Sequence, residues 1–521
     1  MKRLLALVAA SLPSVAACSF VLDFPEDVAG GGAAEGGAGA GGGAGGGPAE
    51  CSPAPPELTA LLEPTDSGAS NYVTVTGLVR RDAPTGGWVD LYGESGAAMA
   101  GFNFPSFSSN LLFALRAPDE GITFPLGSVV ACDLVPGYSL GGRVSLTSED
   151  LLFVSGSIPA QAQTPYGFSP GEGDVCASSP LQIASNDAGG ASVPFFALYQ
   201  DGEQVFADPS YSAGGTTLGT AVGGGVTAGL GVGNGSLFGT EAPGAEPLYF
   251  ISRSPENQVV QAEVAFLELA SVDDVPAELE GGIAADVDGT MWVTGRGCAA
   301  AGPCASLGEV FVYAWEAGVT DPVAVEVAGD DLSFGTAART GGGLAYIGGG
   351  YRGQLMIGGG SFEPSPDSGA FVAAIDPETR QATWTYPALG VTPGFDTTGD
   401  ESVVDLAYVD SSACGRGVVI VAGCIAADSA SLRRCGAHRA DQNGRYTFLV
   451  MLDAATGEEL WATELLPNDT ENDLLLPTAL ASDDSGFWLA TSFRGRVEIP
   501  SPEAPTDSGG PATALVLYFG L

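Results

Sequence analysis

Phe448-Leu-Val-Met-Leu-Asp-Ala-Ala-Thr-Gly-Glu-Glu-Leu-Trp461 reads as a strand, a tight turn and the start of a second strand. The apolar run Phe448–Leu452 is unbroken, as in a strand covered on both faces. Asp453 to Gly457 then supply turn chemistry. An Asp side chain bonds backbone amides just ahead of it, and Gly takes positive φ at no steric cost. Working outward, the apolar strand recurs as Leu111–Leu115, Phe195–Tyr199, Leu248–Ser252, Val310–Ala314, Phe371–Ile375 and Leu515–Phe519. Successive starts lie 84, 53, 62, 61, 77 and 67 residues apart. Acid-, Gly- or Pro-rich turns come after most copies, among them Pro118-Asp-Glu-Gly121, Asp201-Gly202, Ser254-Pro-Glu-Asn257 and Asp376-Pro-Glu-Thr379. These are hairpin signals.

A second piece recurs upstream of each strand: a turn, an apolar run, then small residues. Its clear copies are Asp288–Gly295, Gly343–Gly348 and Ser485–Thr491; weaker ones are Asn71–Gly77, Glu149–Gly156 and Arg416–Gly423, and the copy at Gly225–Gly233 is faint. No amphipathic helical stretch of convincing length accompanies them. A repeated antiparallel unit of this period predicts an all-β chain folded as a β-propeller. Strands apolar on both faces fit blades stacked face to face, whereas a two-sheet sandwich would leave more strands with one wet face. The expectation is seven blades around a central channel, running from near Leu58 to Leu521, with six or eight as alternatives. The third-strand motif of unit seven falls at the end of the sequence. The outer strand of that blade must then be absent or come from Ser19 to Phe24 or from the start of the body.

Two copies carry a sharper pattern. Asp453, Thr456, Gly457 and Trp461 resemble the Asp-x-x-Thr-Gly-x-x-x-Trp signature of PQQ-type (quinoprotein-like) propeller repeats; Asp376, Thr379 and Trp384 keep the spacing, with Arg380 in place of the Gly, and Phe124 sits at the same offset in the first unit. The resemblance implies that the Trp packs between neighbouring blades. It supports fold more than function. Quinoprotein dehydrogenases resemble one another in having two adjacent cysteines and a metal-bound cofactor above the propeller centre. Here no two cysteines are adjacent, and no cofactor is expected.

The chain opens Met1-Lys2-Arg3, continues with an apolar run from Leu4 to Pro13, and reaches Val15-Ala16-Ala17-Cys18. A charged start, a short apolar stretch and small residues before a cut make a secretory signal. The apolar stretch is too short to span a bilayer. Val-Ala-Ala-Cys resembles the bacterial lipobox, in which the cysteine is lipidated and becomes the N-terminus; ordinary cleavage after Ala17 is the plainer alternative. From Gly30 to Gly47 there are 12 Gly, 5 Ala and a single Glu35. Such a run behaves as flexible coil. The expected organisation is a signal peptide at 1–17, a lipid-anchored, disordered Gly/Ala tether at 18–50 and a propeller at 51–521. The place is the cell envelope, with Ser19 compatible with the outer membrane.

The formal charge is −44, from 62 acidic residues against 18 Lys plus Arg, and Lys2 is the only lysine. That balance argues against nucleic acid, whose binding rests on basic contacts to phosphate. Loss of the signal with Lys2 would leave no lysine for Schiff-base chemistry, and His438 is the single histidine, which limits imidazole acid–base and metal chemistry. Beyond Cys18 the cysteines are Cys51, Cys132, Cys176, Cys298, Cys304, Cys414, Cys424 and Cys435. An even number in an oxidising compartment predicts disulfides. Cys298–Cys304 is the most local pairing, Cys132–Cys176 could join neighbouring units, and Cys51 with the last three leaves several combinations open.

Gly137-Tyr-Ser-Leu-Gly141 matches the GxSxG elbow, but the elbow needs a helix after it, and Arg143-Val-Ser-Leu-Thr147 reads as strand. The acidic pairs Asp273-Asp274, Asp286/Asp288, Asp330-Asp331 and Asp483-Asp484 read as solvated turns. The segment Arg433–Arg445 gathers Arg433, Arg434, His438 and Arg439 in an otherwise acidic body. It is either a cationic partner-binding loop or a set of internal ion pairs, and Cys424 and Cys435 are placed to pin it. The functional expectation is a non-catalytic envelope lipoprotein whose propeller binds or scaffolds a protein or glycan partner while its lipid holds the membrane. The alternative is a carboxylate-dependent hydrolase, with or without Ca²⁺.

Overall fold

A computed structural model describes residues 51–64, 72–81, 88–95, 110–118, 126–134, 141–159, 192–200, 203–208, 215–233, 236–237, 240–243, 248–256, 263–267, 269–270, 281–299, 309–388, 400–426, 445–465, 473–495 and 513–521. These residues form seven antiparallel blades. Blade one is Val73–Arg81, Trp88–Ser95, Asn110–Pro118 and Leu126–Leu134. Blade two is Gly141–Leu146, Leu152–Pro159, Ser192–Gln200 and Glu203–Asp208. Blade three is Gly215–Gly223, Val226–Gly233, Leu248–Pro255 and Glu263–Phe266. Blade four is Gly281–Ala285, Met291–Ala299, Glu309–Trp315 and the two-residue strand Val323–Ala324. Blade five is Ser333–Gly341, Leu344–Ile357, Gly360–Ile375 and Ala382–Ala388. Blade six is Asp400–Ser411, Arg416–Ala426, Arg445–Asp453 and Glu459–Leu465.

Blade seven takes Leu474–Asp483, Gly486–Arg494 and Thr513–Gly520 from the end of the chain and its outer strand, Glu57–Leu62, from the beginning. Glu57 pairs with Tyr518 and Leu62 with Ala514, antiparallel. Of the sources the sequence left open, the start of the body supplies the missing strand. The first strands of the seven blades each adjoin the first strand of the next, and Val73–Arg81 meets Leu474–Asp483, so the ring is closed.

All seven apolar motifs found in the sequence are third strands of their blades. The second recurring piece is the second strand in blades two to seven. In blade one it is displaced: Asn71–Gly77 falls on the innermost strand, and the second strand is Trp88–Ser95. Val73–Thr76 is an unbroken β-branched run ending in Gly77, while the true second strand carries Asp90 and Glu94, so the local pattern favours the wrong segment.

The core lies between blades as well as within them. Trp384, on the outer strand of blade five, is 9% exposed and donates its indole N–H to Ala454 O of blade six at 3.0 Å. Gly457 makes room for it: φ is +72°, and a Cβ there would lie 2.6 Å from the Trp384 ring. Trp461 packs among residues of blades six and seven, including Leu475, Phe487 and Phe519. Both tryptophans therefore sit where the repeat resemblance implies; Phe124 lies outside the described residues. Arg380, standing where the other copy has Gly457, adopts φ +56° and pairs with Glu316 of blade four at 2.5 Å.

Blade five departs from its neighbours. Its second and third strands run to 14 and 16 residues and turn at Gly358-Gly359. Beyond Tyr351 the pairing breaks register twice and the arm folds back, so that Gly358 O accepts from Ala382 N at 2.8 Å. Leu355, Ile357 and Phe362 of the arm are buried against Val310, Val312 and Val325 of the blade-four side. The arm covers apolar surface that the short fourth strand of blade four leaves open.

Candidate functional site

Antiparallel pairing gives the ring two distinct faces. Turns joining first to second and third to fourth strands lie on one, and connections joining second to third strands lie on the other. The beginning of the described chain is fixed to the turn face. Ala54 N donates to Gly520 O at 2.7 Å, and Cys51 is bonded to Cys414 in the first turn of blade six. That bridge settles one of the pairings left open, and Cys424 is disulfide-bonded as well.

Cys18, Cys176, Cys304, Arg433, Arg434, His438 and Arg439 lie outside the described residues, as does Ser139 of the GxSxG match. The backbones of Cys132 and Cys298 are in strands, but their side chains are outside the described set. The segment that carries the arginines joins Ala426 to Arg445, the ends of the second and third strands of blade six. Both ends are therefore on the face opposite Cys51. At the end of the GxSxG match, Gly141–Leu146 is a strand and not a helix.

The described acidic pairs hold turns. Asp286 Oδ1 accepts Val287 N at 2.7 Å, and Asp288 Oδ1 accepts Thr290 N at 2.8 Å. Asp330 Oδ1 accepts Gln354 N at 2.6 Å, and Asp331 pairs with Arg352 at 2.7 Å. Asp483 caps its turn through Ser485 N at 2.8 Å and pairs with Arg80 at 2.9 Å. Asp273 and Asp274 lie outside the described residues.

The geometry brings together another set of groups, around the axis. Six of the seven innermost strands carry a register shift at the same level, after Val75, Gly141, Thr217, Gly335, Val403 and Pro477. A bulge bends its strand and re-aims side chains. In blade two it presents Arg143, which crosses the channel. Its Nη1 lies 2.6 Å from Asp405 Oδ2 of blade six, and its Nη2 donates to Val404 O at 2.9 Å. Asp405 Oδ2 also accepts Leu480 N of blade seven at 2.8 Å, and its Oδ1 accepts Leu406 N at 2.9 Å. One ion pair thus ties three blades across the axis. Hydroxyls tie adjacent strands: Ser145 to Thr220 at 3.1 Å, Thr340 to Ala285 O at 2.9 Å, Thr336 to Val403 O at 2.6 Å and Ser482 to Tyr408 O at 3.0 Å.

Between this level and the turn face lies an axial cavity of about 440 Å³ lined by all seven innermost strands. Its charged lining residues are Arg80, Arg143, Arg339 and Asp405. Arg80 is held by Asp483 and lies over the Trp488 ring at 4.8 Å. Arg339 lines the cavity and is exposed there, with no ion pair or hydrogen bond to a described residue.

Sequence reasoning missed Arg143, Arg339 and Asp405. The one local signal was Asp405 itself, a charge set inside the apolar run Val403-Val404-Asp405-Leu406-Ala407.

No family model matches the chain, and no curated protein does. Among solved structures it is similar to the phage phi92 endosialidase at 8% identity, covering 89% of this chain and 69% of that one with a TM-score of 0.39. A protein of unknown function from Dyadobacter fermentans DSM 18053 is 10% identical, with 89% and 99% covered and a TM-score of 0.38. The quinohemoprotein alcohol dehydrogenase of Comamonas testosteroni is 9% identical, with 86% and 75% covered and a TM-score of 0.33.

Proposed function

We propose that this chain is a non-catalytic binding propeller of the cell envelope, held to a membrane by lipid on Cys18 and presenting one face to a protein or glycan partner. A single observation carries the reading. The disulfide Cys51–Cys414 and the strand Glu57–Leu62 fix the start of the body to the turn face, while Ala426 and Arg445 end on the other. The described chain therefore enters the body at the turn face. The second-to-third connections, the 427–444 segment among them, are left to a partner. Loops on a rigid scaffold are where binding usually resides.

Two measurements test it. The Cys18→Ser chain should leave the membrane fraction, and mass spectrometry of the wild type should find acyl chains on Cys18; an unacylated wild-type chain removes the anchor from the proposal. An Arg433→Ser/Arg434→Ser/Arg439→Ser chain should fold normally and recover less of any envelope partner in a pull-down, with the difference shrinking at high salt. Equal recovery by the two chains removes this segment as the contact.

A further inference from the structure

We propose that the axial cavity is a binding site for a small organic acid, whose carboxylate is held by the Arg339 guanidinium. The other charged groups of the cavity are already engaged: Arg143 with Asp405, Arg80 with Asp483. Arg339 makes no hydrogen bond or ion pair with any described residue. The counter-charge that acts on it is Asp405, which is saturated by Arg143, Leu480 N and Leu406 N. Arg339 is exposed within the cavity, so its fork is accessible, and with Arg80 and Arg143 paired it leaves the cavity one uncompensated positive charge that attracts an anion.

The cavity also sets the ligand class. A guanidinium presents a planar fork of N–H donors that matches a carboxylate or phosphate oxygen pair. The charge of the whole chain decides between them. At a formal −44 the protein's field penalises each negative charge brought in, so a singly charged carboxylate is favoured over a doubly charged phosphate. The rest of the lining suits a compact polar body. Ser145, Thr220 and Thr340 offer hydroxyls, and Ala221, Ile283 and Ala337 offer small apolar walls. The volume, about 440 Å³, lies within the range of small-molecule sites.

The test is calorimetric titration of the purified full-length protein with sodium glucuronate, with glucose as the neutral counterpart and inorganic phosphate as the dianion, paired with thermal melts. Glucuronate should bind and raise the melting temperature in a concentration-dependent way. Glucose and phosphate should not. Arg339→Gln should weaken glucuronate at least tenfold while melting, without ligand, no lower than the wild type, since no described contact is lost. Binding of phosphate in place of glucuronate overturns the assigned class. Equal glucuronate binding by Arg339→Gln, or no binding by the wild type, overturns the site. The melts of ligand-free Arg339→Gln separate a lost site from a lost fold.

Discussion

Cys51 and Cys414 are joined across 363 residues of sequence, and the bond fastens the first described residue to the opening turn of blade six, next to the blade that the N-terminal strand completes. A cross-link over so long a loop restricts the unfolded chain strongly. The Cys51→Ser/Cys414→Ser chain should lose about 2–5 kcal/mol of stability while keeping its β circular-dichroism spectrum. Denaturant melts of the two chains without reductant measure the difference; coincident curves would remove the staple from the account of stability.

Gly457 and Trp384 share one space. Gly457→Ala must place a methyl at φ +72°, 2.6 Å from the indole. A cost of about 1–3 kcal/mol is expected from backbone strain alone. Trp384→Ala should cost more, about 3–5 kcal/mol, because it empties the blade-five/blade-six contact and leaves Ala454 O only the longer bond from the Tyr346 hydroxyl, at 3.3 Å. In the double variant the costs should fall short of additive, since the ring that the new methyl meets is gone. Urea melts of the three chains make the cycle.

Asp453 sets an acid limit. Burial works to raise its carboxyl, but Arg416 and the amides of Thr456 and Ala455 outweigh it and hold the group below its ordinary value of 3.8. A folded value below the unfolded one gives stability that is whole above the unfolded value and is lost as pH falls through the folded one. Wild type should therefore weaken from pH 6 to pH 3 by more than Asp453→Asn does. Melts at the two pH values decide it, and parallel losses in both chains would sink the assignment.

Arg143→Gln leaves Asp405 facing the cavity without its cation. Both side chains are partly buried, at 26% and 17% exposure, so breaking the pair should cost about 1–3 kcal/mol. Arg143→Met combined with Asp405→Leu should recover part of that loss, because no lone charge remains. A double variant as unstable as the sum of the singles would mean that the groups act separately.

The third strands were legible because their signals are local: an apolar run ending in Asp453 or Asp376, whose Oδ1 collects the next turn's amides. The first strands were not. Gly281-Gly-Ile-Ala-Ala285 carries neither a clear alternation nor a long apolar run, and its identity comes from neighbours in other blades. The misplaced Asn71–Gly77 copy has the same origin. Ring closure was half legible: the missing outer strand of blade seven announced itself, while Glu57–Leu62 could be matched to Thr513–Gly520 only once the ring closed. The channel groups were hidden for the same reason, since Arg143 and Asp405 meet across 262 residues of sequence through topology alone.

The pairing of Leu58 with Leu517 also imposes a schedule. A ribosome makes the outer strand of blade seven first and its partner last. Until Thr513–Gly520 has emerged, Glu57–Leu62 has no edge to join, and a nascent chain must carry a bare apolar strand through almost the whole of its synthesis. An unpaired edge is a template for aggregation, so this segment stays a hazard until its partner strand arrives. A chain truncated before Thr513 would leave the same strand exposed for good and so be marked for proteolysis by its own first strand.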